Sequence, residues 1–273
     1  MLISVCIISK GRNGADNAEI HAYFLLFDPK ERKNQMRKII GLIFADSMEY
    51  APFERYAEKF SPEKKIRRGN ESLQYLVTDG DREILVAAVK CGIGKVNAAS
   101  AAAFLIGDDK ADIIMNAGLS GAVSKCRRED MLAGTSYVEC DYDLTAIDYK
   151  LGEKPDGQKY IYEADETLLS LAGEIPSLGR GKLGTGDIFL TSGEKKALYK
   201  AEFGINAFDM ESAAIASVCD KCGVPFMSVR KISDDADDAA GETYREMNER
   251  QENCLTDILA ELIGKVLKCD RLW

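Results

Sequence analysis

The chain has 273 residues, of which 46% are hydrophobic and 30% charged, and it carries a formal net charge of −9. These fractions are typical of a globular protein with enough apolar residues for a sizeable core, so they exclude wholesale disorder. The negative charge argues against a nucleic-acid partner, which needs a basic surface, and no apolar run is long enough to indicate a membrane partner.

Residues 1–35 differ in pattern from the rest of the chain. Two apolar runs flank a segment rich in Gly, Asn and Asp, which is compatible with a hairpin. Residues 1–9 are apolar but lack a basic region and a cleavage site, so we expect no secretory signal. Met36 is followed by two cations and an apolar run, like a natural start. We therefore predict an extension of uncertain role over residues 1–35 and a single catalytic domain over residues 36–273.

From residue 39 onward, short apolar runs alternate with helical patterns. Several of the runs are apolar on both faces, which is typical of strands in a sheet that is covered on both sides. The pattern predicts an α/β protein, a single-domain three-layer α/β/α fold with a central mixed β-sheet. Strands are predicted at residues 39–44, 73–78, 83–89, 112–116, 131–139, 182–185 and 225–232, and helices at residues 96–105, 164–173, 210–222 and 242–268.

Cysteines and histidine limit the possible chemistry. The eight cysteines have no regular spacing, and Cys219 and Cys222 form a C-x-x-C inside a predicted helix without a second pair. This usage favours reduced packing residues of a cytoplasmic protein over a redox or metal site. The one histidine, His21, excludes histidine-dependent triads and histidine-rich zinc sites from the main domain. We expect no metal and no organic cofactor.

Carboxylates follow three of the predicted strands, where ligands of open α/β sheets bind. Asp234 opens a run of aspartates after an apolar strand, and belongs either to a solvated loop or helix cap or to the sheet's end as a general acid. Glu211, just after the plausible helix cap Asp209, shares a helix face with Ile215. It either binds ligand hydroxyls there or rotates out to solvent. Glu49 alone is typical of a surface residue.

Seven segments of the chain form an ordered set of motifs. They are residues 40–43 leading to Glu49, 92–99 (GIGKVNAA), 116–118 (NAG), 143–146 (DLTA), 186–189 (GDIF), 209–211 (DME) and 229–234 (VRKISD). The two glycine-rich turns lack the spacing of a P-loop or dinucleotide fingerprint. Together, over about residues 39–250, the set resembles the methylthioadenosine/S-adenosylhomocysteine nucleosidase branch of the nucleoside phosphorylase superfamily. The resemblance implies a nucleoside phosphorylase-like fold.

The resemblance also implies an acid and a base. Asp234 would protonate the purine at N7, so that adenine leaves neutral, and Glu49 would activate the attacking water. An acid on one side and a base with water on the other is the logic of inverting glycosidases. To hold its proton near neutral pH, Asp234 should have a raised pKa, through burial or through neighbouring carboxylates.

Other matched residues are expected to bind the substrate. By the resemblance, Glu211 would bind the ribose hydroxyls with Met210 packed beside it, Phe189 would stack on adenine, and the backbone of Leu190 would read the base edge. The expected substrate-binding set is completed by Ser120, Gly121 and Ser233.

Some positions depart from the family's usual residues. Leu119-Ser120 stands where the family has Ser-Ala, Phe44 and Asp46 where it has Gly and Met, and Ile147 where a phenylalanine lies beside the 5′ substituent. These positions line the ribose and 5′ regions. The identity of the 5′ group therefore stays open, while adenine is the expected base.

The predicted activity is hydrolysis of the N-glycosidic bond of 5′-methylthioadenosine and S-adenosylhomocysteine, by a cytoplasmic homodimer in methionine salvage. One alternative is a purine nucleoside phosphorylase, which needs cationic donors for phosphate; neither glycine-rich turn contains arginine. Two others are a related nucleosidase, such as a futalosine hydrolase, and a nucleoside-binding protein without activity.

Overall fold

The computed structural model describes residues 36–237, 240–242 and 254–273. The expectations for residues 1–35, and for the first half of the predicted closing helix, lie outside these ranges. Among the described helices, none combines the length and the apolar character that a membrane crossing requires.

The ten strands of the described residues form one sheet with the order β10-β6-β8-β9-β5-β1-β4-β3-β2, and β7 pairs with β6. β1 runs parallel to β4 and β5, whereas β3 runs antiparallel to β2 and β4, which confirms a mixed sheet. The strands are β1 Met36–Phe44, β2 Glu63–Arg67, β3 Asn70–Asp79, β4 Arg82–Lys90, β5 Ile113–Ala122, β6 Met131–Glu139, β7 Ile161–Glu163, β8 Leu178–Thr185, β9 Ala207–Asp209 and β10 Phe226–Asp234.

Part of the sheet closes on itself. β10 pairs with both β5 and β6, and β8 and β9 connect β6 back to β5. These five strands therefore form a ring, which an open sheet does not have. The ring brings the end of β10, the end of β9 and the second half of β5 close together.

Helices cover the sheet in two groups. α2 packs on α5, while α1 and α3 pack on α6. Every residue of β10 is buried, as expected for a strand whose two faces are both covered. The helices are α1 Ser47–Ala57, α2 Lys95–Gly107, α3 Glu166–Ala172, α4 Gly193–Phe203, α5 Ser212–Cys222 and α6 Cys254–Lys268.

Most predicted elements are present, with shifted ends. β6 has the predicted bounds, and the predicted strand pair meets at a turn where Gly80 has a φ of +61°. The helix predicted from residue 210 begins instead at Ser212, because the Asp209 side chain accepts the N–H groups of Glu211 and Ser212. β2, β7, β9 and α4 were not predicted, since they are short or largely exposed.

Candidate active site

A cleft opens where β1, β5, β9 and β10 end. Its volume is about 670 Å³ with its open mouth included. All the site residues predicted from the sequence line this cleft: Glu49, Ser120, Gly121, Phe189, Leu190, Met210, Glu211, Ser233 and Asp234. Ile147, in contrast, is 62% exposed and is not part of the lining.

Glu49 is held by two backbone donors, one directly after β1 and one in β5. Its Oε2 accepts the N–H of Ala45 at 2.8 Å, and its Oε1 accepts the N–H of Leu119 at 2.8 Å. Asp46 caps α1 and so fixes the helix turn that carries Glu49. Burial raises the pKa of Glu49 to about 8, with further contributions from the charges of Asp46 and Glu211. The carboxyl is therefore fixed in position and basic enough to accept a proton.

Asp234 lies at the end of β10, where a bulge at Ser233 shifts the pairing with β5. The carboxylate is buried, and it accepts the Ser233 hydroxyl at 2.6 Å and the N–H of Ala236 at 2.8 Å. Burial raises the pKa of Asp234, and the charge of Asp235 adds to the effect, against the lowering effect of the two hydrogen bonds. This is the direction that a general acid requires.

Glu211 is buried just before α5, facing a fully buried arginine. Its Oε1 accepts the N–H of Gly94 at 3.1 Å, and its Oε2 lies 3.5 Å from Nη1 of Arg230. Burial raises the pKa of Glu211, against the lowering effect of Arg230. The sequence pattern left open whether Glu211 is buried or rotates out to solvent. It is buried, but it precedes the helix instead of lying on its apolar face.

Arg230 binds residues of several elements that form the site. Its guanidinium donates to Ser228 Oγ at 3.0 Å, to the carbonyl of Leu119 at 3.3 Å, and to Asn116 Oδ1. Its Nε also lies 3.3 Å from Asp209 Oδ2. With these partners and Glu211, the arginine donors are engaged inside the protein, and the side chain does not line the cleft.

Two glycines of β5 leave room for the carboxylates. A Cβ at position 118 would collide with Glu49 Oε1 and with Arg230 Nη1. A Cβ at position 121 would lie 2.8 Å from Asp234 Oδ1. A side chain at either position would therefore displace a carboxyl group of the site.

The segment that carries Phe189 and Leu190 is tied to α2 by charged groups. Asp187 accepts the N–H of Lys95 at 2.8 Å, and its own N–H donates to Asp141 at 2.8 Å. The Lys95 ammonium in turn lies 2.7 Å from Asp141 Oδ1 and 3.1 Å from Glu139 Oε2. This network holds one wall of the cleft against the loop that binds Glu211.

Sequence reasoning assigned no role to several residues of the site. The sequence analysis predicted no role for Arg230 beyond its place in the motif of residues 229–234. An arginine in the middle of an apolar strand is nevertheless a detectable signal of a buried ionic network. Ile93 also lines the cleft, as do Asp46, which was expected in the ribose and 5′ regions, and Asp209, which was expected only as a helix cap. The backbone donors at Ala45 and Leu119 have no sequence signal, because every residue except proline supplies an N–H.

The geometry can be set beside known proteins. Residues 39–264 match the family model of the phosphorylase superfamily. The 5′-methylthioadenosine/S-adenosylhomocysteine nucleosidase of Exiguobacterium sp. is 36% identical over 172 residues, which cover 60% of this chain and 73% of the relative. The aminodeoxyfutalosine nucleosidase of Helicobacter pylori is 33% identical over 192 residues, which cover 68% of this chain and 82% of the relative.

Solved structures give a similar result. The 5′-methylthioadenosine/S-adenosylhomocysteine nucleosidase of Helicobacter pylori, complexed with a pyrrolidin-3-ol compound, has a TM-score of 0.76 at 30% identity, and the match covers 85% of this chain and 100% of that one. The futalosine hydrolase of Helicobacter pylori has a TM-score of 0.75 at 29% identity, with 84% and 98% covered.

Proposed function

The chain belongs to the phosphorylase superfamily, and we propose that it hydrolyses the N-glycosidic bond of adenine nucleosides such as 5′-methylthioadenosine and S-adenosylhomocysteine. One observation carries the proposal: Glu49 and Asp234 approach the same strand at Gly118 and Gly121. Three residues of strand span about 10 Å. The two carboxyl groups therefore approach β5 at separate points, which leaves room for substrate and water between a general acid and a general base, as in inverting glycosidases.

In the proposed reaction, Asp234 gives its proton to N7 of adenine while the bond between C1′ and N9 breaks. The electron pair of that bond stays on the base, which leaves as neutral adenine. Water forms the new bond to C1′, and Glu49 takes its proton. The carboxylates of Glu49 and Glu211 also favour the positive charge that develops on the sugar.

The remaining lining residues would hold the nucleoside. We propose that Glu211 accepts ribose hydroxyls, with Met210 beside it. The proposal is supported by the further lone pairs that Arg230 and the N–H of Gly94 leave on its carboxylate oxygens. Phe189 is proposed to stack on adenine, and the backbone of Leu190 to read the base edge.

Water is favoured over phosphate as the nucleophile by the charge of the cleft. Its lining in the described part of the chain contains five acidic residues and neither lysine nor arginine: Asp46, Glu49, Asp209, Glu211 and Asp234. Arg230 is engaged by protein partners. A phosphate dianion would therefore meet repulsion without a free cationic donor.

The test is adenine release from 5′-methylthioadenosine, S-adenosylhomocysteine and adenosine, with and without phosphate, and identification of the sugar product. Free pentose formed without phosphate is expected. Release that depends on phosphate and yields a sugar 1-phosphate would make the protein a phosphorylase. An absence of release from all three nucleosides would refute the proposal, and futalosine-type substrates would then be assayed.

We also propose that the protein is a cytoplasmic homodimer that acts in methionine salvage, and that residues 36–273 carry the activity without residues 1–35. Large apolar side chains at the cleft support the dimer, since Ile93 is 51% and Phe189 46% exposed. Light scattering of the purified protein should give the mass of two chains, and a chain beginning at Met36 should keep full turnover.

A further inference from the structure

Ser120 has a buried hydroxyl without a protein partner. The residue lies on β5, lines the cleft and is 3% exposed. Within residues 36–237, 240–242 and 254–273, its Oγ is the one buried side-chain polar atom that makes no hydrogen bond to the protein. Most buried hydroxyls in folded proteins are paired, so an exception in a cleft calls for a ligand.

The rest of the local structure uses Ser120 only through its backbone. Its carbonyl accepts the Ser233 hydroxyl at 3.3 Å, while its own hydroxyl is left over. Buried serines elsewhere are satisfied: Ser72 donates to the carbonyl of Lys65 at 2.8 Å, and Ser228 donates to Asn116 at 3.0 Å. A buried unpaired hydroxyl lowers the stability of the free protein, and a bound molecule that supplies a hydrogen-bond partner removes this cost.

The strand indicates which half of the substrate lies near this hydroxyl. Residues two apart on a strand point to the same face, so the side chain of Ser120 shares the face of Gly118. A Cβ at position 118 would meet Glu49 and Arg230, whereas a Cβ at position 121 would meet Asp234. Ser120 is therefore on the side of the proton-accepting carboxyl and not on the side of the acid.

We propose that Ser120 Oγ forms a hydrogen bond to an oxygen of the reacting sugar half, namely the attacking water or a ribose hydroxyl. The proposal rests on the hydrolysis of adenine nucleosides proposed above. Ser120 would then touch the reacting half of the substrate and select for a sugar that carries the oxygen. The neighbouring residue on β5, Leu119, has no side-chain hydroxyl.

The experiment compares Ser120→Ala with Ser72→Ala, a buried strand serine outside the cleft. The values of kcat and KM are measured with adenosine, 2′-deoxyadenosine and 3′-deoxyadenosine, and the unfolding temperature is measured without ligand. We expect Ser120→Ala to lower kcat/KM for adenosine about 2- to 10-fold, the value of one neutral hydrogen bond, and to leave the unfolding temperature unchanged or higher. Ser72→Ala should lower the unfolding temperature and leave kcat/KM unchanged.

The deoxynucleosides show whether Ser120 binds a ribose hydroxyl or the attacking water. If Ser120 binds a ribose hydroxyl, the effect of Ser120→Ala should vanish with the nucleoside that lacks that hydroxyl. If Ser120 binds the attacking water, the effect should persist with all three nucleosides and appear in kcat. Unchanged kcat/KM with all three, or a loss of activity matched by a loss of folded protein, would overturn the proposal.

The same assay tests the underlying activity separately. If the wild-type protein releases no adenine, the proposed function fails, and the two proteins are then compared by their dissociation constants for adenosine in calorimetry. In that case no water attacks, so the ribose hydroxyl is the remaining partner. Weaker binding by Ser120→Ala would support the hydrogen bond, and equal binding would overturn it.

Discussion

The Nε atom of Arg230 lies 3.3 Å from Oδ2 of Asp209, and both side chains are fully buried. Asp209 also accepts the Thr185 hydroxyl at 2.8 Å and the Ser212 hydroxyl at 2.6 Å. The ion pair therefore joins β10 to β8, β9 and the start of α5, and its Asp209 lines the cleft. The stability of the fold and the geometry of the site depend on the same contact.

Arg230→Met should strongly destabilise the protein, because it leaves the carboxylates of Asp209 and Glu211 buried without their cation. The expected loss is about 3–5 kcal/mol in the free energy of unfolding, measured by denaturant titration. Arg68→Met is the control, since Arg68 pairs with Asp108 on the surface, and it should leave the free energy unchanged within error. Equal stability of the wild-type protein and Arg230→Met would contradict this account of the network.

Asp234→Asn should abolish most turnover while the protein still binds nucleosides. Asparagine keeps the shape of the side chain but has no acidic proton to give to the base, so kcat should fall about 10²- to 10⁴-fold. The control is Asp156→Asn, at an exposed position outside the cleft, which should retain activity. Calorimetry with adenosine measures binding. Full activity in Asp234→Asn would remove Asp234 from the reaction.

The pH dependence of kcat/KM should show a rising limb near pH 8, because Glu49, with a pKa of about 8, accepts a proton only when ionised. Below that pH the carboxyl is protonated and the rate falls. Asp46→Asn keeps a capping side chain for α1 but removes one charge that raises this pKa. The rising limb should therefore move to lower pH. An unshifted limb would show that Glu49 is not the titrating group.

The same pKa implies a cost in stability for the free protein. The folded protein retains the Glu49 proton between the ordinary value of 4.5 and about 8, whereas the unfolded chain has released it. The unfolded state binds fewer protons in this range, so the contribution of this residue to stability falls as pH rises. Glutamine does not titrate, but its one oxygen can replace only one of the two carboxylate oxygens that accept backbone N–H groups. The unfolding temperature of Glu49→Gln relative to that of the wild-type protein should therefore rise from pH 4 to pH 8. Thermal scans at the two pH values measure this.

Lys95→Met should loosen the wall that carries Phe189. It removes the cation between Glu139 and Asp141, and Asp141 holds the backbone of Asp187. We expect KM for adenosine to rise more than kcat falls, with a loss of about 1–3 kcal/mol in unfolding free energy. Lys182→Met, at an exposed position of β8, is the control. A change confined to kcat would argue against a positioning role for Lys95.

Local sequence predicted the parts of the site that belong to single segments. The order of the seven segments predicted the family correctly, and the mixed sheet and most of its strands are confirmed. Asp234 was detectable because it follows an apolar strand, where ligands of such sheets bind. The expectations for residues 1–35 stay untested.

Contacts between distant segments were not predictable in the same way. The strand ring depends on pairing between β10 and β5 and between β8 and β9. The hydrophobic periodicity of a segment predicts a strand but does not show with which strand it pairs. The role of Arg230 depends on its contacts with Asn116 and Asp209. The position of Glu49 depends on the N–H of Leu119, which is 70 residues away in the sequence. The unpaired hydroxyl of Ser120 likewise becomes visible only when all its neighbours are placed.

The donors that seat Glu49 belong to the main chain at Ala45 and Leu119. A main-chain donor is the same for every amino acid except proline. The side chain at position 119 can therefore change without loss of the hydrogen bond that the main chain gives to Glu49. Saturation mutagenesis of position 119, without proline, therefore offers a way to change substrate preference while Glu49 keeps its backbone hydrogen bonds.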